Sequence, residues 1–469
     1  MRVVIIGNGI AGVTCARHLR KRSVDVEIVM ISGESEHHYS RPALMYLYMG
    51  HMRWPDLKPY EDWFWEENRI ELRKGWVTSI DFDAKSVTLD EQDELSYDKL
   101  VLALGSKTSY YDWPGQDLDG VHGLVTLDDV AAMERHSDAG LERAVIVGGG
   151  LIGVEMAECF HTRQIPVSFV IREDSYWNKV LPPEESTMVT EHIASKHGIE
   201  LLLGRELSEI WGDGNGKVKV AALKGGTKLQ CQFVGITAGV RPRLELLEFL
   251  EIDLDKGVLV DDYLRTSVPD VYAIGDCAQL RHAREGRRPI EAIWYTGRMM
   301  GEVAAANLLG AQVEYDPGIF FNSAKFFDIE YQIYGQVPAE LPDDRSWFYW
   351  RHPSEEKALR LYWNKATGAV TGFHLMGIRY RHEVCEAWIA NETPINEVVQ
   401  HLGLANFDPE FYREHEPDIV AAFNAQEGTS VKLETRRGLG PVQRFLRRIH
   451  KLYPSLRPHR ENVSAHVDE

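Results

Sequence analysis

The chain has 469 residues, which is more than one ordinary domain and predicts two to four domains. It is 44% hydrophobic and 26% charged, as expected of a globular protein with a large core. The formal net charge of -19 argues against nucleic-acid binding, which requires a basic surface. No apolar run is long enough to span a bilayer, so we expect a cytoplasmic protein whose mature chain begins at Met1.

The cysteine pattern excludes two kinds of site. All five cysteines are widely separated and none belongs to a C-x-x-C motif, which excludes a local redox dithiol and a zinc knuckle. We therefore expect no metal site, and the pattern suits a reducing compartment. The cysteines are Cys15, Cys159, Cys231, Cys277 and Cys385.

The N-terminal segment predicts a β-α-β unit. The β-branched run Val3–Ile6 predicts a buried parallel strand, and it leads into the glycine loop GNGIAG at 7–12. A helix is expected from this loop to about Arg22, followed by an apolar strand at Val26–Ile31.

The same pattern returns further along the chain. The apolar run Ala144–Val147 leads into a second glycine loop, GGGLIG at 148–153. A helix is expected to about Arg163, and a second strand at Val167–Ile171.

The other segments predict two regions of different texture. From about Asp316, aromatic runs at Ser346–Trp350 and Leu359–Trp363 indicate an antiparallel α+β domain, and after about Thr429 the chain becomes basic. Before that point we expect strands at Lys99–Leu104, Phe233–Ala238 and Val271–Ile274, and a helix at Gly301–Leu309.

In the first loop each glycine has its own physical reason. Gly7 permits a tight turn out of the strand, Gly9 lets the backbone approach a pyrophosphate, and Gly12 lets helix and strand pack closely. The N-terminus of the helix adds free N–H groups and a favourable dipole. An acidic residue is expected at the end of the second strand, where Ser32 stands, so Glu34 is our candidate for the ribose hydroxyls.

The second loop offers the same chemistry through Gly148, Gly150 and Gly153. Its second strand runs into Arg172 and Glu173. A carboxylate there favours NADH and an arginine favours the 2′-phosphate of NADPH, so the choice of nicotinamide stays open. Two dinucleotide loops imply two dinucleotides, and the economical chemistry is hydride transfer from a nicotinamide to a flavin.

Together with the two loops, further segments resemble a known family. They are YSRP at 39–42, YDKLVLALG at 97–105 and TSVPDVYAIGDCA at 266–278. The chain resembles the FAD-dependent pyridine nucleotide oxidoreductases of the disulfide type over about residues 1–325. It is most similar to the rubredoxin and ferredoxin reductases and the reductase part of NAD(P)H nitrite reductases.

The resemblance implies an α/β fold with two Rossmann-like dinucleotide-binding domains, one inserted in the other, and a C-terminal α+β domain. The FAD-binding domain would occupy 1–109 and 239–315, and the NAD(P)-binding domain 110–238. An interface domain would follow at 316–429, where relatives often dimerise, so we expect a homodimer. Residues 430–469 form the basic tail.

The resemblance also implies site residues. Arg41 would pair with phosphate oxygens, Asp276 would bind the ribityl or pyrophosphate region, and Trp294 would line the isoalloxazine. Glu155 and Lys325 are the candidate catalytic residues near the flavin. The full FAD set is Gly7, Gly9, Ile10, Ala11, Gly12, Glu34, Arg41, Pro42, Val77, Ala103, Gly105, Gly275, Asp276 and Trp294. The NAD(P)H set is Gly148, Gly150, Leu151, Ile152, Gly153, Arg172, Glu173 and Gly239.

Disulfide-reducing members of the superfamily carry a cysteine shortly after the first β-α-β unit, and the corresponding stretch 41–48 has none. Disulfide, cysteine-based peroxide and mercuric-type chemistry are therefore disfavoured. We expect electrons to pass from FAD to a carrier such as rubredoxin or ferredoxin. The alternatives are an NAD(P)H oxidase or quinone reductase, and an interaction protein that resembles apoptosis-inducing factors.

Two basic segments suggest partners. A cluster that follows the Asp276 motif could dock an acidic one-electron carrier. The tail at 440–453 reads as a basic amphipathic helix, which could contact a membrane surface or a partner, or pack on the acidic body. The cluster comprises Arg281, His282, Arg284, Arg287 and Arg288.

Overall fold

The computed structural model describes residues 1–90, 93–407 and 413–434. The chain divides into two compact units, Met1–Gly318 and Ile319–Glu469. The predicted tail helix at 440–453 lies outside the described residues.

The first unit contains two five-stranded parallel sheets and several small sheets of two or three strands. Its strands are β1 (Arg2–Ile6), β2 (Glu27–Ser32), β3 (Ile70–Lys74), β4 (Val77–Asp81), β5 (Ser86–Leu89), β6 (Asp93–Ser96), β7 (Lys99–Leu102), β8 (Ser106–Thr108), β9 (Val121–His122), β10 (Ala144–Val147), β11 (Val167–Ile171), β12 (Glu200–Leu203), β13 (Leu207–Gly212), β14 (Val218–Leu223), β15 (Lys228–Gln230), β16 (Phe233–Ile236), β17 (Val240–Pro242), β18 (Val258–Val260), β19 (Val271–Ala273) and β20 (Ala278–Leu280). Its helices are α1 (Ile10–Arg22), α2 (Leu44–Tyr48), α3 (Trp63–Glu67), α4 (Leu127–Asp138), α5 (Leu151–Thr162), α6 (Pro183–Lys196) and α7 (Trp294–Leu308).

The first parallel sheet has the strand order β19-β7-β1-β2-β3. The central strand β1 pairs with β2 on one side and β7 on the other. Val3, Val4 and Ile5 are completely buried, because a central parallel strand is covered on both faces. This explains why the sequence of β1 is continuously apolar rather than alternating.

The second parallel sheet has the order β12-β11-β10-β16-β9, and β10 is its buried central strand. All of its strands lie in the chain between β7 and β19, two neighbouring strands of the first sheet. Along the chain, the last strand of the first sheet therefore comes after all the strands of the second sheet. The α/β class with two Rossmann-like sheets, predicted from the sequence, is confirmed.

The second unit is built on an antiparallel sheet with the order β21-β22-β25-β24-β23. Its aromatic and aliphatic core includes Phe348, Leu361, Phe373 and Trp388. The strands are β21 (Phe321–Phe326), β22 (Ile329–Gly335), β23 (Arg345–Arg351), β24 (Ala358–Asn364) and β25 (Val370–Met376), and the helices are α8 (His382–Ala390), α9 (Ile395–Gln400) and α10 (Glu416–Glu427).

One helix is longer than the sequence predicts. The expected helix Gly301–Leu309 is the second half of α7, which begins at Trp294. The glycines of α7 serve packing against α1. A Cβ on Gly301 would lie 2.5 Å from the carbonyl oxygen of Ala11, so only glycine allows the two helices to approach this closely.

Within the described residues, no helix is both long enough and apolar enough to cross a membrane.

We predict that Gly12→Ala destabilises the first unit while Gly9→Ala does not. A Cβ on Gly12 would lie 2.1 Å from the carbonyl oxygen of Gly7, whereas a Cβ on Gly9 meets no atom within 4 Å. Overpacking of this kind costs about 1–3 kcal/mol, so thermal unfolding of Gly12→Ala should begin at lower temperature. Equal unfolding midpoints for the two variants would contradict this packing argument.

Candidate FAD and nicotinamide sites

A cavity of about 450 Å³ opens where strands of the first sheet end. It is lined by Ile6 at the end of β1, Ser32 at the end of β2, Ala103 after β7 and Ile274 after β19. Ligands of open α/β sheets bind outside the carboxyl ends of the strands, where the strand order reverses. The volume falls within the ordinary range of ligand and cofactor sites.

The first glycine loop forms one wall of this cavity. Gly7 adopts a φ of +112°, a conformation that favours glycine, and it turns the chain from β1 into α1. Gly9 faces open space, because no atom lies within 4 Å of a Cβ built on it. The backbone and the start of α1 are therefore accessible to a pyrophosphate, so the cavity fits a dinucleotide such as FAD.

A charged network closes one end of the cavity. The Arg41 guanidinium lies 2.5 Å from the Glu34 carboxylate, which also accepts a hydrogen bond from the Tyr39 hydroxyl and one of 3.0 Å from the N–H of Leu127. Burial alone would raise the pKa of Glu34, but the charge of Arg41 and these hydrogen bonds lower it. Both predicted residues line the cavity, where they form an ion pair with each other.

Asp276 also lines the cavity, in the 3-10 turn Gly275–Cys277 that follows β19 by one residue. The Ser106 hydroxyl donates a 2.7 Å hydrogen bond to its carboxylate. Burial raises the pKa of Asp276 despite this bond and the charge of Arg41. A carboxylate at this depth is well suited to accept hydrogen bonds from hydroxyl groups of a bound ligand.

The sequence interpretation missed Trp76. This side chain lines the cavity and is 55% exposed. Its ring lies against Gly33, since a Cβ there would come within 2.1 Å of the indole. Glycine at 33 and an exposed tryptophan just before Val77 were the available signals. Other cavity residues outside the predicted set are Asn8, Ser106, Arg243, Glu245, Leu246 and Gly297.

The second glycine loop repeats the geometry of the first. Gly148 has a φ of +120°, and a Cβ on Gly153 would lie 2.2 Å from the carbonyl oxygen of Gly148. Gly150 faces open space and its carbonyl accepts a 3.0 Å hydrogen bond from Tyr176. Leu151 and Ile152 form the first turn of α5. This arrangement also fits the pyrophosphate of a dinucleotide.

The two candidate selectors follow β11 directly. The Arg172 side chain is 66% exposed and donates a 3.0 Å hydrogen bond to the Glu173 carboxylate. Glu173 is only 19% exposed, and Lys179 lies 3.6 Å from the same carboxylate oxygen. The carboxylate is thus held in place, while the arginine projects into solvent.

Glu155 lies one turn into α5, after the second loop, and is half-buried. Burial, with a smaller contribution from the charge of Glu158, raises the pKa of its carboxyl to about 7. A carboxyl of this kind can hold or release a proton near neutral pH.

The remaining predicted residues have varied settings. Pro42 is exposed in the 3-10 turn Arg41–Ala43, and Trp294 begins α7 with 36% exposure. Gly239 has a φ of +121° just before β17. Lys325 is an exposed residue of β21, in the second compact unit.

Two members of the arginine cluster pair with carboxylates in the structure. The Arg287 and Glu291 side chains are 7% and 9% exposed and lie 2.5 Å apart. Arg284 lies 3.6 Å from Glu314. The Arg287 charge is therefore paired with a carboxylate and its side chain is buried, while docking of a carrier at this cluster stays a prediction.

The thiols have no activated environment. All five cysteines are free and buried. Burial raises the pKa of Cys231 and Cys277 to about 11, and raises the pKa of Cys15, Cys159 and Cys385 as well. Because the thiolate is the reactive form, none of these groups is poised for disulfide chemistry.

Comparison with known proteins identifies the family. A family model for pyridine nucleotide-disulphide oxidoreductases matches residues 1–301. The chain is 31% identical over 340 residues to an NADH oxidase of Methanocaldococcus jannaschii, covering 70% of this chain and 75% of that protein. It is 31% identical over 286 residues to the rubredoxin-NAD(+) reductase of Pseudomonas putida, covering 60% and 73%. A solved ferredoxin reductase from Rhodopseudomonas palustris matches with a TM-score of 0.73 and 25% identity, covering 90% of this chain and 99% of that one.

The chain belongs to the pyridine nucleotide-disulphide oxidoreductase family. It is an FAD-dependent NAD(P)H oxidoreductase, and its cofactors are FAD and NAD(P)H. The enzyme class predicted from the two glycine loops is confirmed.

We predict that Trp76→Ala weakens FAD binding about tenfold or more, since stacking of a base on an aromatic ring contributes about 1–3 kcal/mol. The ring lies beside the end of β2, where the ribose and then the adenine of FAD are expected. Trp76→Phe should keep most of the affinity in equilibrium dialysis. Trp63→Ala, which changes an exposed tryptophan of α3, is the control. The idea fails if Trp76→Ala and Trp63→Ala bind FAD equally well.

A second prediction concerns the pH dependence of stability. The pKa of Glu155 is about 7 in the folded protein and about 4.5 when unfolded, so the folded state binds the extra proton between these values. Folding stability from this group is therefore complete below pH 4.5 and is lost as the pH rises through about 7.

Glu155→Gln removes that loss. Relative to the wild type, the variant should gain thermal stability at pH 8 and gain little at pH 5, as followed by calorimetry of the FAD-loaded protein. A stability difference that is the same at both pH values would contradict the assignment.

Proposed function

We propose that the protein is an NADH-dependent reductase that delivers electrons from FAD to a small one-electron carrier of the rubredoxin or ferredoxin type. One observation carries the proposal: two dinucleotide loops stand in one compact unit whose cysteines are all buried and unactivated. Electrons that reach the flavin then have no thiol relay. The names of the Pseudomonas putida and Rhodopseudomonas palustris relatives support an iron–sulfur carrier as the acceptor.

The residues of this chain bind and orient the reactants. When bound, FAD would supply the group that accepts a hydride from the nicotinamide and passes electrons to an acceptor. In our proposal the Gly7–Gly12 loop and the start of α1 bind its pyrophosphate, Arg41 leaves Glu34 to pair with a phosphate, and Asp276 accepts hydrogen bonds from ribityl hydroxyls. Glu155 holds a proton at its carboxyl beside the nicotinamide.

The domain layout is part of the same proposal. The FAD domain would comprise 1–109 and 239–315, with the NAD(P) domain 110–238 inserted, followed by 316–429. The return of β19 to the first sheet after the second sheet is complete supports an insertion. The same proposal includes a cytoplasmic homodimer and a position for Lys325 near the flavin, as a candidate catalytic residue.

NADH is the proposed nicotinamide. The Glu173 carboxylate is fixed at the end of β11, where the family fingerprint places the ribose hydroxyls. A 2′-phosphate at this position would meet a carboxylate that is held in place, and like charges repel. The exposed Arg172 is already engaged with that carboxylate.

A second candidate is an NADH oxidase, in which oxygen takes the electrons. The match to the Methanocaldococcus jannaschii NADH oxidase extends over 340 residues, more of this chain than the match to the rubredoxin-NAD(+) reductase. Both candidates share the reductive half of the reaction and differ only in the acceptor.

The acceptor is tested by reoxidation. The FAD-loaded protein is reduced anaerobically with NADH and then mixed in a stopped-flow instrument with rubredoxin, ferredoxin, a quinone or oxygen. We expect reoxidation to be fastest with an iron–sulfur carrier and at least about tenfold slower with oxygen, a difference of about 1.4 kcal/mol in barrier. Faster reoxidation by oxygen would favour the oxidase, and no reduction by NADH would overturn the proposal.

The nicotinamide preference gives a further prediction. Glu173→Gln should raise KM for NADH about tenfold with little change in kcat, because a hydrogen bond to a charged group is worth about 1.5–3 kcal/mol and is made equally in ground and transition states. The KM for NADPH should fall. Glu206→Gln, which changes a nearby carboxylate paired with Lys224, is the control. If both variants keep the wild-type KM for NADH, Glu173 is not the ribose ligand.

A further inference from the structure

Three potential metal ligands lie together in the first unit, in the part of the chain between the two glycine loops. Asp119, His122 and His136 each contribute one ligand atom, and the three atoms lie within 4.8 Å of one another. Nε2 of His136 is 3.1 Å from Oδ1 of Asp119. We call this group the histidine–aspartate triad.

The backbone holds the first two members rigidly. The N–H of Asp119 donates to the carbonyl of Gly216, and its carbonyl accepts from Val218. Gly120 then turns with a φ of +106°, and a Cβ there would lie 2.7 Å from the carbonyl oxygen of Gln232. This turn leads directly into β9, which ends at His122 and is hydrogen-bonded to β16.

The third member comes from a helix, and one aromatic ring orients both imidazoles. His136 lies in the last turn of α4. The ring of His122 stacks on Phe233 at 5.8 Å and 27°, and the ring of His136 meets Phe233 edge-on at 5.7 Å and 70°. Phe233 is completely buried in β16, so it forms a fixed apolar wall behind the two rings.

One histidine nitrogen of the triad is buried without a hydrogen-bond partner among the described residues. This atom is Nε2 of His122. A buried, unpaired polar atom is costly, and a bound ion would remove that cost. By contrast, Nε2 of His136 is satisfied by Asp119.

We propose that the histidine–aspartate triad binds a divalent transition-metal ion of the zinc class through two imidazole nitrogens and one carboxylate oxygen. Imidazole and carboxylate are ordinary zinc ligands, with bonds of about 2.0–2.2 Å, and water completes a tetrahedral site. Such bonds place the ligand atoms about 3.3 Å apart. The 3.1 Å distance between His136 and Asp119 is already close to this value, and the distances to the His122 ligand atom would have to shorten by at most about 1.5 Å. The sequence led us to expect no metal, but that expectation rested on the cysteine pattern, and the triad contains no cysteine.

The position of the triad suggests what the ion does. It would tie the turn at Asp119 to the last turn of α4. The start of the same helix contacts the charged network of the FAD cavity. The N–H of Leu127 donates to Glu34, and the carbonyl of Val125, two residues before the helix, accepts from Arg41. The ion therefore braces a helix whose other end supports the cavity, in a structural rather than a catalytic role.

The test uses the full-length, FAD-loaded protein, stripped with a chelator and then dialysed against Zn²⁺. Bound zinc and FAD per chain are measured by elemental and absorbance analysis, and the zinc environment by X-ray absorption. We expect one zinc per chain with two imidazole ligands, and at least about tenfold weaker zinc binding in Asp119→Asn and His136→Ala. Zinc should also raise the thermal midpoint of the wild type.

Asp117→Asn and His51→Ala are matched controls, because both change exposed residues outside the triad. They should bind zinc like the wild type. Asp119→Asn alters an exposed side chain without changing its size, and its FAD content reports whether the fold is intact. The proposal is overturned if the wild type binds no zinc, if X-ray absorption shows no imidazole ligands, or if Asp119→Asn and His136→Ala retain zinc as tightly as the controls.

Discussion

The close approach of α1 to the turn that precedes it is the constraint on which the site depends. Gly12 has no side chain, so the helix can pack directly onto the carbonyl of Gly7. This contact places the start of α1 at the carboxyl edge of the first sheet, where backbone N–H groups and the helix dipole face the cavity. The same contact recurs between Gly153 and Gly148. The same glycine–carbonyl contact is therefore found at both of the proposed dinucleotide sites.

The second constraint is electrostatic. The cavity gathers Arg41, Glu34 and Asp276, and their charges are balanced against burial by one another and by hydrogen bonds. In our proposal an anionic pyrophosphate enters this network by pairing with Arg41, so cofactor binding would exchange one ion pair for another instead of burying a new charge. The cysteines are kept out of this chemistry because each is buried among apolar groups, which disfavours the thiolate.

Much of the fold was predictable because it is written in local patterns. Ala144–Val147 and Val167–Ile171 were predicted with the bounds that the structure gives. The start of α7 was not predicted. Glycines weaken a helix prediction, and the sequence alone does not show that Gly301 serves packing against α1. Residues that line the cavity from distant segments, such as Trp76 and Arg243, carry no motif of their own. Charge also misleads in sequence, because the burial and pairing of Arg287 depend on a carboxylate that the fold supplies.

The central claim is that bound FAD passes electrons to the acceptor directly, without a pair of thiols as an intermediate carrier. An anaerobic titration of the FAD-loaded protein with NADH, followed by flavin absorbance and by thiol counting, tests it most directly. The account predicts that one hydride equivalent per bound FAD completes the reduction and that the number of free thiols stays constant. Uptake of a second equivalent, with new thiols appearing as the flavin is reduced, would contradict it.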